Sequence, residues 1–337
     1  MDDVRIVAVD VLADDGLLDR WLDAAVASAR HEYGELHTTP SAPEVRASQR
    51  LTTDAAIVQV AALRGDRVVG QGQLNLPLTD NRHFAGLSFT VRPECRRHGV
   101  GTSLLQHLEH LAMAAGRTTL CAEGEVAAGR PDPAGGFAKA HGYAVALVTL
   151  RGELDLPADL NALLEPLEAD AVAHSGGYDV LTWWDDIPEQ WLDQRAELAS
   201  RMSTDAPLGE LQTEQEKWDA DRVLKQLRVI RAQGRRWVET VAVDRATGRL
   251  AAFTDLAVSA HTPDLAYQRD TLVVQEHRGR RLGQLVKAAN LRALVRELPD
   301  VRRVTTWNAE VNAPMLAVNR AMGFVAVGRW TEWQKVL

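Results

Sequence analysis

Cysteine is nearly absent: Cys95 and Cys121 are the only two in 337 residues. They share no metal-ligand spacing, so neither a zinc site nor a disulfide scaffold organises this chain, and the usage suits a reducing cytosol. Long apolar runs are lacking too, since no stretch approaches the roughly 18 residues of a membrane span. The opening MDDVRIVAVD carries acidic residues where a secretory leader would carry basic ones. The expectation is a cytoplasmic protein with no membrane partner and no metal. Lysine is scarce, 5 residues against 33 arginines, which reads as codon bias in a GC-rich genome. Basic residues total 38 against 46 acidic ones, a net charge of −8. Without basic blocks, such a chain is not expected to bind nucleic acid, whereas an amine-bearing partner is easily accommodated. What remains is ordinary globular material, 46% hydrophobic and 25% charged, with a length that predicts two domains.

The chain repeats itself. VRPECRRHGVGTSLLQHL (Val91–Leu108) has a counterpart in VVQEHRGRRLGQLVKAANL (Val273–Leu291). Arg96 and Arg278 lie 182 residues apart, as do Gly101 and Gly283, and as do Arg67 and Arg249 upstream. Downstream, His141–Tyr143 faces Met322–Phe324, with Gly142 and Gly323 offset by 181. One spacing held over three landmarks marks a tandem duplication. Both copies have one order of elements. A hairpin turns at Gly65-Asp66 or Thr247-Gly248, and a third strand follows (Leu87–Val91; Thr271–Val274). An Arg/Gly loop then leads into an amphipathic helix with Leu104, Leu105, Leu108 and Leu111 in one copy and Leu282, Leu285, Val286 and Ala289 in the other. Next come another strand (Thr118–Ala122; Val304–Trp307), a helix, a Gly-aromatic pair and a closing pair of strands. The division predicted is an α/β domain over 1–155, a linker helix within 156–177, and a second α/β domain over 178–337 that opens with the strand YDVLTWW.

The chemistry lies in the loop R-x-x-G-x-G between strand and helix. In the first copy it is Arg96-Arg97-His98-Gly99-Val100-Gly101, followed by Thr102. Small residues let the backbone curl so that successive N–H groups converge on one anion, and the following helix adds its positive end. The leading arginine is expected to add charge to this diphosphate cradle. A dinucleotide fingerprint fails because Leu104 stands where a third glycine belongs, and the chain has no Gly-Lys-Ser/Thr triplet for a P-loop.

These loops, with WNAEVNAPMLAVNRAMGF (Trp307–Phe324), resemble the acetyl-CoA-binding motif and succeeding strand and helix of the GNAT family of N-acetyltransferases. The resemblance covers both halves and implies two tandem GNAT domains, each a mixed, splayed central sheet flanked by helices. It further implies acetyl-CoA as co-substrate, bound between splayed strands, and direct acetyl transfer to an amine in a ternary complex. The CoA contacts implied are Val91, Arg96, Arg97, His98, Gly99, Val100, Gly101 and Thr102 in the first copy. In the second they are Val273, Val274, Arg278, Gly279, Arg280, Arg281, Leu282, Gly283 and Gln284, with Asn308 and Asn312.

The copies differ. The second has Arg281 in place of the first glycine, which is tolerable where the anion meets main-chain N–H groups. Its strands, however, offer the candidate base Asp270, with Tyr267 and Glu310. The first copy has Ala85, Ser88 and Phe89 at the matching strand positions, and then CAEGEVAAGRPDPAGG, rich in helix breakers. The expectation is therefore catalysis in the second domain, with the first degenerate, so that Gly283→Trp stops turnover and Gly101→Trp matters much less. The family's tyrosine acid is missing from both copies, where Asn319 and Ala138 stand instead. Its absence, with the irregular second loop, motivates a non-catalytic acyl-CoA-binding or scaffold protein as alternative; a peptide or protein N-acetyltransferase is another. Eight of nine tryptophans fall in the second half, to be read as packing or as a wall for a cation, and Asp205 is a candidate partner for an ammonium group. His98, His107, His110 and His277 have no metal-site spacing. A monomer or homodimer acting on a small amine is the expectation.

Overall fold

The computed structural model describes residues 4–13 and 16–337; the acidic Asp2 and Asp3 lie outside them. The elements run β1 (Arg5–Val9), α1 (Leu17–Tyr33), α2 (Ala42–Leu51), β2 (Ala55–Arg64), β3 (Arg67–Pro77), β4 (Phe84–Val91), α3 (Val100–Ala114), β5 (Thr119–Ala127), α4 (Pro133–Ala140) and β6 (Ala144–Asp155). After the linker helix α5 (Leu160–His174) the order recurs: β7 (Tyr178–Trp184), α6 (Leu192–Asp205), α7 (Ala220–Ala232), β8 (Arg235–Asp244), β9 (Arg249–Ser259), β10 (Leu265–Val273), α8 (Leu282–Glu297), β11 (Arg303–Ala309), α9 (Ala313–Ala321) and β12 (Val325–Val336). Both hairpins turn where the sequence predicts. Among the described residues, no helix is long and apolar enough to cross a membrane.

Two compact units result, and their borders cross the sequence halves. The first takes the chain to Leu147 together with Glu210–Glu214 and Trp330–Leu337; the second takes Val148–Gly209 and Gln215–Arg329. Strand order is β1-β2-β3-β4-β5-β12 in the first and β6-β11-β10-β9-β8-β7 in the second. Each sheet is thus finished by a strand from the opposite half of the sequence. Each half closes on one strand of twelve residues, β6 or β12, and not on the expected pair. Gly152 is no turn: it sits within β6 opposite Thr306, where an added Cβ would come 3.2 Å from the Thr306 methyl and 3.6 Å from the Phe324 ring. Close approach of neighbouring groups, and not a bend, accounts for that glycine.

Helices cover both faces of the first sheet. The buried stripe of α3 (Val100, Leu104, Leu105, Leu108, Ala112) packs on Val60, Leu74, Leu87 and Leu120. On the other face Leu18, Trp21 and Leu22 of α1 cover Ala61, Leu63 and Val68. In the second unit α8 packs against β8 and β9, while α6 and α7 bury Ile187, Leu192, Leu227 and Trp237 opposite. Arg195 of α6 enters that core, donates to Glu239 at 2.6 Å and stacks 3.8 Å above the Phe253 ring. Removing one partner of a buried pair strands the other charge. Glu239→Ala should cost about 3–5 kcal/mol in denaturant unfolding, and the double change Arg195→Met/Glu239→Leu should cost far less.

Candidate active site

Both Arg/Gly loops adopt the same backbone. The left-handed region is visited at the second and fourth loop positions: Arg97 (φ 64°) and Gly99 (φ 80°) in the first, Gly279 (φ 81°) and Arg281 (φ 56°) in the second. Each loop therefore has glycine at one of the two positions and holds an arginine there at the other, at roughly 1–2 kcal/mol. The leading arginines are tied back to their strands, although Arg96 still lines the first cleft. Arg96 folds back, its Nε donating to the Val91 carbonyl at 3.2 Å and its amino groups engaging Ser28 and Glu32. Arg278 repeats this on the Val273 carbonyl and pairs with Asp205. Both arginines pin loop to strand, which leaves anion binding to the helix ends. In α3 the first return bond runs from Ser103 N–H to the Gly99 carbonyl, so the N–H groups of Val100, Gly101 and Thr102 head the helix. Leu282, Gly283 and Gln284 have the same place in α8, where Leu285 N–H returns to Arg281.

Beyond the first loop lies a cleft of about 420 Å³. It exists because β4 and β5 pair in parallel only from Phe84–Thr119 to Leu87–Ala122. Past that point β4 stays with β3 as far as Val91, and the β4–β5 edge opens. Phe89, Thr90 and Val91 form one wall, Ala122 to Val126 the other, and Arg97, Gly99, Gly101 and Thr102 the loop end. The volume, the splayed strands and the headed helix fit a long anionic ligand with a slender apolar arm, such as CoA.

Residues 22–143 match the Acetyltransferase (GNAT) family model. A solved tandem GNAT protein from the clavulanic acid biosynthesis pathway is 29% identical, over 99% of this chain and 98% of that one, with a TM-score of 0.79. The chain has the tandem GNAT fold. A GCN5-related N-acetyltransferase from Sphaerobacter thermophilus has the same fold at 18% identity and TM-score 0.64, over 100% of this chain and 96% of that one. A putative acetyltransferase from Pyrococcus horikoshii does so at 13% and 0.58, over 100% and 90%. No curated protein matches the chain.

Carboxylates pushed up by burial lie on the strands of both domains of this tandem GNAT fold. Glu123 of β5 lines the first cleft at the point where the strands part. Its carboxyl is pushed up to about 7, first by burial, then by the charge of Glu332; a hydrogen bond from Ser88 pulls it down, and Glu125 pushes it up again. It is not among the residues that the loop motifs single out. Its signal is a carboxylate on the strand after the loop, four residues beyond the Phe84–Thr119 pair. Tyr143 also lines the cleft, but its hydroxyl donates to Glu109 and burial raises it further, so its proton is committed. Cys121 is buried, and burial with the charges of Glu332 and Glu123 holds its thiol well above the ordinary range.

In the second domain Asp270 sits at a bulge in β10, with its N–H donating to the Asp255 carboxylate at 3.1 Å. Asp255 also receives Arg269 and the Trp237 indole, each at 2.8 Å. Burial and then Asp255 raise the Asp270 carboxyl, while Arg269 and Arg195 lower it. Asp270 therefore belongs to a buried charge network. Tyr267 stacks on Trp307, with Arg235 over its ring. Glu310 is exposed and pairs with Arg329 at 3.8 Å. Asn312 caps α9 through Met315 N–H, and Asn308 accepts from Asn319. Around the second loop Arg280 donates to the Tyr178 hydroxyl, Arg281 pairs with Asp170 at 3.1 Å, and Gln284 turns to Leu167 and Asp170. Val274 and Leu282 are core. His98 is exposed and folded onto the Arg96 carbonyl.

The second wedge is also polar where the first is apolar. Lys287 stands at the helix position of Leu105, and Asn319 at that of Ala138; Tyr143 N–H returns to Ala138 just as Phe324 N–H returns to Asn319. Leu105 and Ala138 line the first cleft. Lys287 is 2% exposed, and burial lowers its ammonium to about 7, against the pull of Asp255.

Proposed function

We propose that this protein is an acetyl-CoA-dependent N-acetyltransferase whose working site is the first domain, with Glu123 as general base. The observation that carries the reading is a carboxyl held near 7 where the strands of a CoA-sized cleft part. This differs from the expectation of catalysis around Asp270, Tyr267, Glu310 and Asn319: Asp270 lies among the charges of Asp255, Arg269 and Arg195, Tyr267 stacks on Trp307, Glu310 pairs with Arg329, Asn319 donates to Asn308, and Lys287 stands at the helix position of Leu105.

The N–H groups of Val100, Gly101 and Thr102 would hold the diphosphate of acetyl-CoA, with Arg97 exposed beside them, and the apolar walls of Val91, Leu105 and Ala138 would take its slender arm. When bound, acetyl-CoA supplies an activated acetyl group. The residues of the chain do the rest. An amine is mostly protonated at neutral pH, and ionised Glu123 takes a proton from its nitrogen. A carboxyl near 7 is half-ionised at working pH, and so serves better than an ordinary carboxylate, which is a weaker base. Afterwards the same group is acidic enough to release that proton, which offsets the missing tyrosine at Ala138. Glu123, Glu125 and Glu332 give this end of the cleft a negative field that favours a small amine acceptor.

Thiol release from acetyl-CoA over a panel of small amines, peptides and no acceptor tests the reading. Amine-dependent release is the expected result, rising with pH through about 7 as Glu123 ionises. Release from no acceptor class would leave a CoA-binding protein without turnover.

A further inference from the structure

The first domain takes its last strand from the far end of the chain, and that strand brings a charged residue to the catalytic wall. Leu337 N–H donates to the Thr118 carbonyl at 2.9 Å, while Cys121 Sγ donates to Glu332 Oε2 at 3.7 Å. Residue numbers fall along β12 as they rise along β5, so the two strands run antiparallel. Counting five residues from the Leu337–Thr118 bond brings Glu332 level with Glu123. Trp333, on the opposite face, packs where a Cβ on Gly124 would lie 2.9 Å from its ring, in keeping with that register. Two carboxylates directly across a strand pair repel unless one holds a proton.

We propose that Glu332 is a positioning residue for the first-domain reaction, acting through space on the carboxyl of Glu123. This rests on the reading of Glu123 as base. Facing Glu123 are Ser88 from β4, Cys121 and Glu125 from its own strand, and Glu332 from β12. Glu32 of α1 shares the cleft wall but is paired with Arg96 and Arg130. Glu332 is the largest charge influence on Glu123, and is itself raised by burial. The two carboxyls titrate as a pair, and neutralising one lets the other ionise at lower pH. The strand that finishes the sheet thus keeps the base near neutrality, at a point 209 residues along the chain from Glu123.

The test follows Glu123 by carboxyl carbon NMR in the protein without acetyl-CoA, and the acid limb of kcat/KM in parallel. In Glu332→Gln, whose amide oxygen still accepts from Cys121, both midpoints should move down by about 1 pH. Glu332→Asp keeps the charge and should stay within about 0.3 pH of the native chain, which a merely structural role would not predict. A Glu123 midpoint unmoved in Glu332→Gln overturns the proposal. A midpoint that moves, with an acid limb that persists unchanged in Glu123→Gln, keeps the coupling and overturns Glu123 as base.

Discussion

Glu123→Gln should lower kcat/KM at pH 7 by about 10²–10³-fold, the usual worth of a positioned general base. The loss should shrink toward about tenfold at pH 9.5, where much of the amine arrives already deprotonated and needs no base. Glutamine keeps the size of the side chain and the contact with Ser88, so the fold should persist. Stability should even rise at high pH. A carboxyl raised to about 7 favours the folded state below its ordinary value of 4.5, and that contribution is lost as pH rises through 7. Glutamine has no such loss, and its urea midpoint should exceed that of the native chain at pH 8.5. A variant that retains full activity at pH 7 contradicts the assignment, whatever its stability.

Gly101→Trp should abolish acetyl-CoA binding, while Gly283→Trp should leave turnover within about threefold of the native chain. A Cβ at residue 101 would sit 3.6 Å from the Phe137 ring and 3.8 Å from the Val91 methyl, in ordinary contact. An indole has nowhere further to go but the cleft that Gly101 lines. It would cover the N–H groups that head α3, and a loss of 100-fold or more in affinity corresponds to about 2.7 kcal/mol. Neither glycine has a positive φ, so the backbone accepts both substitutions, but Gly283 is buried and an indole there must displace its neighbours, so a far-ultraviolet dichroism check of intact helices is the control for that variant. In the second domain the cations of the loop are already paired with Asp170 and Asp205, and Lys287 occupies the position of Leu105 in the wedge.

Much of this was legible in the sequence, because duplication, hairpins and loops are local patterns. The spacing of 182 residues placed both loops, and YDVLTWW is the strand β7 residue for residue. What escaped depends on groups distant along the chain. Asp270 is an attractive base until Asp255 and Arg269 are seen beside it. Glu123 is one acidic residue among several until β4 and β5 part next to it and Glu332 arrives on β12. One local signal was misread. CAEGEVAAGRPDPAGG is rich in helix breakers, yet Asp132 accepts from the N–H groups of Ala134 and Gly135 and Pro133 opens α4, a helix start with a side-chain cap. The breakers end the strand and begin the helix. The exchange of closing strands left no local mark, since β6 and β12 read alike as apolar-polar strands whichever sheet receives them.

Calorimetric titration of acetyl-CoA into the native chain, Gly101→Trp and Gly283→Trp tests the central claim most directly. The prediction is one site per chain, lost in Gly101→Trp and kept in Gly283→Trp. A site that survives in Gly101→Trp and vanishes in Gly283→Trp would contradict it and return catalysis to the second domain.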